Sequence, residues 1–218
     1  MEEAATRKLI ILGAGGFARE VAWLVGDINA RGPAVYDLVG FWERDAGLVG
    51  EKLNGVPVLG ADEVGRYLPD LWCVAGIGKP ADRERAVREA EGLGCRFPIL
   101  VHPDTRYDPE TVTFGPGTVL CAGNILTVNI TIGSHVHLNL DCTVGHDSVI
   151  EDFVTISPGC HLSGFTSVGR GAYMGTGSVT LEHHSIGAGA VVGAGAVITG
   201  EIPPGVTAVG VPARVLKK

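Results

Sequence analysis

From Phe114 to Ile198 a large residue returns at every sixth position. The column reads Phe114, Leu120, Leu126, Ile132, Leu138, Val144, Ile150, Ile156, Leu162, Val168, Met174, Thr180, Ile186, Val192 and Ile198, and only Thr180 is polar. Four residues after each large position comes a second, mostly small one, including Asn124, Val136, Cys142, Ser148, Cys160, Ala172, Ser178, Ala190 and Ala196. A period of six fits neither the 3.6 of a helix nor the 2 of a lone strand; it is the mark of a hexapeptide β-helix. The small residue and the next large one are two apart, so both point inward from one short strand. The chain must then turn. The second corner residue is Gly at 117, 123, 159, 171, 177, 189 and 195, and Asn or Asp at 129, 141 and 147. These residue types tolerate the positive φ that a sharp corner asks for. Three hexads close a triangular coil, so fifteen give five coils, with residues eighteen apart stacked at about 4.8 Å. Periodicity leaves the handedness open.

The first hundred residues have another rhythm. Lys8 to Leu12 reads as an apolar strand that runs into Gly13-Ala14-Gly15-Gly16. A helix should follow, with Phe17, Val21, Leu24 and Val25 on one face. Further strands are predicted at Leu38 to Trp42, Leu71 to Ile77 and Phe97 to Val101, with a charged helix from Ala81 to Glu91. Alternating strands and helices imply a small parallel sheet covered by helices. The organisation predicted is an α/β Rossmann-like domain over residues 1–105 followed by an all-β domain over 106–218.

Charge and cysteines narrow the function. A net charge of −7 offers no broad cationic surface for nucleic acid or anionic lipid. No apolar stretch is long enough to span a bilayer. Five cysteines with no metal spacing and no secretory signal point to the cytoplasm. Cys142 and Cys160 share an inward column and read as small core residues.

Two places carry candidate chemistry. In ILGAGGFARE, close backbone approach and free N–H groups at a helix start favour a phosphate. The spacing Gly13, Gly15, Gly16 falls short of G-x-G-x-x-G, because position 18 is Ala. A nucleotide-sugar, NAD(P) and a plain tight turn all remain open readings. The second place is His146, a first-corner residue whose imidazole should project outward. Gly164 stands eighteen residues on, which predicts room beside the imidazole and an exposed backbone N–H for a developing oxyanion. Asn139 and Thr143 lie within one hexad on the preceding edge. His146 reads equally as a solvated corner residue, and Asp147 as either its hydrogen-bond support or a left-handed corner. Leu181 predicts a bulge in the Thr180 hexad, which would turn His183 and His184 toward a ligand.

The hexads, the His146-Asp147 corner and the GAGGFARE segment together resemble the PglD/NeuD-like bacterial sugar acetyltransferases. The most specific stretch is NLDCTVGHDSVIEDFVTISPGCHLSG, and the tail IPPGVTAVGVPARV is typical of hexapeptide acyltransferases. The resemblance implies a left-handed β-helix, a homotrimer, and acetyl-CoA bound in the groove between neighbouring β-helices with no metal. It implies His146 as general base supported by Asp147, and Asn139 near the acceptor sugar. Gly13, Gly15, Gly16, Phe17, Glu43, Arg44 and Gly78 would surround the nucleotide-sugar. Thr155, Gly164, Thr176, Ala194 and Arg214 would face acetyl-CoA; Arg214, Lys217 and Lys218 read either as attracting its phosphates or as a solvated basic tail. Thr155 stands where many relatives carry a second His. Arg44 interrupts the acidic run found in relatives that read uridine. The activity implied is N-acetylation of a nucleotide-linked 4-amino sugar, with O-acetylation of a sialic-acid-type sugar as the alternative. Two other classes compete: a γ-carbonic-anhydrase-like zinc enzyme drawing on His135, His137, His146 and His161, and a nucleotide-sugar-binding protein without catalysis.

Overall fold

The structure, a computed structural model, describes residues 6–216. It divides into two compact units. The first runs to Gly78 and resumes over Asp82–Pro103; the second takes Lys79–Ala81 and continues from Asp104.

The first unit is built on a five-stranded sheet of order β3-β4-β2-β1-β5. β1 (Arg7–Leu12) lies between β2 (Tyr36–Trp42) and β5 (Trp72–Ala75), parallel to both. Leu9, Ile10 and Ile11 are fully buried, as a central parallel strand with both faces covered demands. α1 (Gly16–Ala30) buries Ala18, Val21, Leu24 and Val25. Ala18 therefore takes the place in the buried stripe that the sequence reading gave to Phe17. The reason is space: a Cβ on Gly76 would stand 2.5 Å from the Cα of Ala18, so helix and sheet meet where only small residues fit. β3 (Lys52–Leu53) and β4 (Val56–Leu59) form an antiparallel hairpin absent from the sequence reading. Its turn is Asn54-Gly55, with φ of 51° and 84°, the conformation this dipeptide favours. α2 (Ala61–Val64) and α3 (Pro80–Gly92) complete the elements. The strand expected over Phe97 to Val101 shrinks to Leu100–Val101, since Pro98 has no N–H to give a ladder. No helix among the described residues is long and apolar enough to cross a membrane.

The second unit is a parallel β-helix of five coils. Its first face stacks Val112–Phe114, Ile130–Ile132, Val149–Ile150, Ser167–Val168 and Ser185–Ile186. The second stacks Val119–Leu120, His137–Leu138, Thr155–Ile156, Tyr173–Met174 and Val191–Val192, and the third Ile125–Leu126, Thr143–Val144, His161–Leu162, Val179–Thr180 and Val197–Ile198. Register is eighteen residues throughout these pairs, as in Thr143↔His161 and Val149↔Ser167. Each second corner residue is left-handed, including His135 and His183, which occupy the slot expected from the spacing, and Phe153 and Phe165, which the glycine and Asn/Asp pattern did not suggest.

The predicted bulge near Leu181 does not occur. Ser185 keeps register with Ser167 and Val179 with Val197. Thr180 stays inside because its hydroxyl is satisfied there: Oγ1 accepts the Ser163 N–H at 3.2 Å and lies 3.0 Å from Thr166 Oγ1. A polar side chain with local partners can occupy an apolar column at little cost. Cys142 and Cys160 are fully buried, and the hydrogen bond with Cys160, then burial, push the Cys142 thiol up, away from the thiolate a nucleophile needs.

Candidate active site

His146 and Asp147 are the two corner residues between the third and first faces. The corner is fixed by main-chain bonds to the neighbouring coils: Asp147 N–H donates to Val128 O at 3.1 Å, and Phe165 N–H to His146 O at 2.8 Å. With φ of 58° at Asp147, its carboxylate folds back onto the preceding imidazole. Oδ2 lies 2.8 Å from His146 Nδ1, and Oδ1 accepts from Asn129 Nδ2 at 3.1 Å. The hydrogen bond with His146, then that from Asn129, hold the Asp147 carboxyl below the usual carboxylate range. The carboxylate is thus ionised and can only accept, so Nδ1 carries the proton and Nε2 of the neutral ring carries the lone pair. About half of the imidazole side chain is exposed. This arrangement suits a general base whose tautomer is set by an acid.

The sign of the pH effect follows. A depressed carboxyl contributes its interaction above its unfolded value and loses it only as pH falls through the lowered folded one. Asp147→Asn removes that charge while keeping a residue type suited to positive φ. It should lower kcat by about ten- to a hundredfold and move the acid limb of the rate profile to lower pH, because the imidazolium loses its partner. A pH–rate profile of the variant checks both.

Gly164 does not leave the room expected of it. A Cβ there would fall 2.7 Å from Cε1 and 2.8 Å from Nε2 of His146, so the imidazole itself occupies that space. Gly164 is buried in the single chain rather than exposing its N–H. Asn139 is not beside the imidazole either. It sits at the corner between the second and third faces, where its Oδ1 accepts the Leu140 N–H at 2.8 Å. Thr143, on the third face, lies 3.0 Å from His161 Nδ1 through its hydroxyl. Thr176 and Ala194 are exposed first-corner residues on the same edge as Asn139. Thr155 is only 6 % exposed, in the second-face row between His137 and Tyr173, and has little surface to offer a cofactor. Arg214 turns Nη1 onto the Ala213 carbonyl at 2.8 Å. Lys217 and Lys218 lie outside the described residues.

In the first unit, a cavity of about 350 Å³ opens where β1 gives way to α1. Gly13, Gly15, Gly16, Phe17, Glu43, Arg44 and Gly78 all line it. Gly13 has a φ of 88°, which reserves this turn for glycine. The α1 N-cap is Gly15, with no side-chain cap and no acid in the first turn, so the positive end of the helix dipole suits an anion. Glu43 reaches across: Oε2 accepts the Ala14 N–H at 3.0 Å and Oε1 the Arg44 N–H at 2.7 Å. Arg44 pairs with Glu89 of α3 at the cavity wall. Glu89, Ala86 and Trp42 are lining residues that the sequence reading missed, since α3 lies far from the glycine loop in sequence.

Comparison with known proteins decides the family. Residues 8–90 match the family model of the PglD N-terminal domain. Over 217 residues the chain is 34 % identical to the GDP-perosamine N-acetyltransferase of Escherichia coli O157:H7, covering 95 % of this chain and 96 % of that one. The chain belongs to the PglD/NeuD-like sugar acetyltransferases. It is, by that membership, an acyltransferase. Solved relatives of the PglD/NeuD-like family share its whole architecture. The acetyltransferase domain of PglB from Neisseria gonorrhoeae FA1090, in complex with acetyl coenzyme A, is 33 % identical with a TM-score of 0.88, covering 97 % of this chain and 100 % of that chain. PerB from Caulobacter crescentus, in complex with CoA and GDP-perosamine, is 28 % identical with a TM-score of 0.87, covering 98 % and 99 %. The coil is therefore the left-handed β-helix that the resemblance implied.

Proposed function

We propose that this chain transfers the acetyl group of acetyl-CoA to the free amine of a GDP-linked 4-amino sugar, with His146 as general base. Acetyl-CoA is the donor, and the acceptor is a nucleotide-linked amino sugar. The observation that carries the mechanism is the hydrogen-bonded corner: Asp147 Oδ2 lies 2.8 Å from Nδ1, which leaves Nε2 to take a proton. The amine nitrogen bonds to the acetyl carbon as the carbon–sulfur bond breaks. Nε2 accepts the proton the nitrogen sheds and passes it to the departing sulfur. Asp147 holds the imidazolium in between.

The cavity of the first unit suits the nucleotide. Its α1 N-terminus fits a diphosphate. Arg44 supports guanine, whose O6 and N7 accept two hydrogen bonds from one guanidinium. The relatives from E. coli and C. crescentus named for GDP-perosamine favour the same base.

A homotrimer accounts for the placement of the remaining residues. His146 and Gly164 stand on one edge of the prism, whereas Asn139, Thr176 and Ala194 stand on another, a full face away. A single chain keeps the two sets apart; the edge of a neighbouring copy can bring its set to the base. Thr176 and Ala194 are small and exposed there, which suits a site for the donor. Five free, buried cysteines suit a reducing, cytoplasmic setting.

The test is thiol release from acetyl-CoA with GDP-, UDP-, dTDP- and CMP-linked sugars, each with and without a free 4-amine. The expected result is release that requires the amine and is fastest with GDP, with mass spectrometry placing the acetyl group on nitrogen. Release with hydroxyl sugars alone would replace this reading by O-acetylation.

A further inference from the structure

Phe165 stands where the corner pattern calls for Gly, Asn or Asp. Its φ is 56°, a left-handed conformation in which a bulky side chain is an outlier. Ten corners of this β-helix use Gly, Asn or Asp at that position with φ between 56° and 78°, so the fold does not need a ring to turn here. Strain of this kind clusters at functional sites and persists where surrounding contacts impose it.

The other phenylalanine in such a corner shows what structural compensation looks like. Phe153 is 7 % exposed, stacked on His135 at 5.0 Å with the Arg170 guanidinium 4.7 Å from its ring. Phe165 lacks that burial, with 46 % exposed. Its ring instead stands perpendicular to the His146 imidazole, 5.2 Å between centroids and 89° between planes. On its far side it stacks on His183 at 4.6 Å and 11°. The imidazole is thus confined three ways: Asp147 holds Nδ1, the bare main chain of Gly164 receives the ring, and Phe165 blocks rotation of its plane.

We propose that Phe165, backed by His183, is a positioning residue that fixes the plane of the His146 imidazole for proton transfer. The inference rests on His146 being the base. Side-chain rotation that leaves the Nδ1 bond intact would still swing Nε2 away from an incoming amine, and misplacement by about 1 Å costs on the order of a hundredfold. Phe165 acts on the orientation of the base, so it should affect turnover and leave substrate affinity alone.

Phe165→Asn is the variant of choice, because Asn129 adopts a φ of 56° in the same corner column. It should lower kcat by about ten- to a hundredfold, with both KM values within about twofold and thermal stability equal to or above wild type. Phe165→Tyr, which keeps the ring, should restore most of the lost turnover. In a His146→Ala background, Phe165→Asn should add no further loss, since there is no imidazole left to orient. Wild-type kcat in Phe165→Asn overturns the inference, as does an equal loss in the His146→Ala background. A lower melting temperature with no recovery in Phe165→Tyr also overturns it. Near-normal turnover in His146→Ala alone would remove the base assignment on which the inference stands, a result separable from all the others.

Discussion

His146→Ala should keep the fold and lower kcat by about 10²–10⁴, the range general-base catalysis supplies. The fold survives because the corner is held by main-chain bonds that do not involve the imidazole: Asp147 N–H to Val128 O and Phe165 N–H to His146 O. The ring is about half exposed, so its loss leaves no deep cavity. Activity should fall because the next titratable groups along this edge, Glu182 and His183, stand two coils away from the place of Nε2. Asp147 is adjacent, but a carboxylate is too weak a base near neutral pH to take over from an imidazole. Affinity for both substrates should change little, since a group that moves a proton in the transition state contributes to kcat rather than to ground-state binding. Steady-state thiol release, with circular dichroism for the fold, measures the split. Turnover near wild type would remove His146 from the chemistry.

Gly164→Ala should reach a similar loss by a different route. Gly164 has no positive φ, so alanine strains no backbone there. The whole effect is the new Cβ, which would stand 2.7 Å from Cε1 and 2.8 Å from Nε2 of the imidazole. Contacts this short are not tolerated. The ring, the more mobile of the two partners, must swing outward, stretching its bond to Asp147 Oδ2. A displacement of about 1 Å costs on the order of a hundredfold in rate, while packing of the β-helix interior is untouched. The expected variant is folded, near normal in melting temperature and impaired in kcat by about a hundredfold. A fully active Gly164→Ala enzyme would show that the imidazole works from a position away from this main chain.

Much of this molecule is legible in its sequence, for a physical reason. A β-helix writes each rung in one hexad, so the inward column from Phe114 to Ile198 and the glycine corners report the fold directly. The Asn54-Gly55 hairpin was equally legible, since that dipeptide is a strong turn signal, yet it went unread amid short strands of mixed character. Other features leave no such trace. Phe153 and Phe165 are poor residues for a left-handed corner, so only the coil geometry reveals that they occupy one. The eighteen-residue offset correctly brings Gly164 to His146, but the offset carries no side-chain volumes, and the ring takes the space the sequence reading left open. Asn139 illustrates a further limit: seven residues separate it from His146, close in sequence yet a whole face away in the prism. Glu89 shows the reverse, far from the glycine loop in sequence and beside the same cavity.

The corner bonds that join each coil to the one before it make this domain count in whole windings. Removing or adding a full turn's worth of chain would return every later side chain to its own edge, changing only the height at which the base stands. Losing a single residue ahead of the base would turn all that follows by part of a revolution, and carry the imidazole off the edge it shares with its support. Natural variation in the length of this prism should therefore come in complete revolutions, with irregular segments confined to loops that leave an edge and rejoin it.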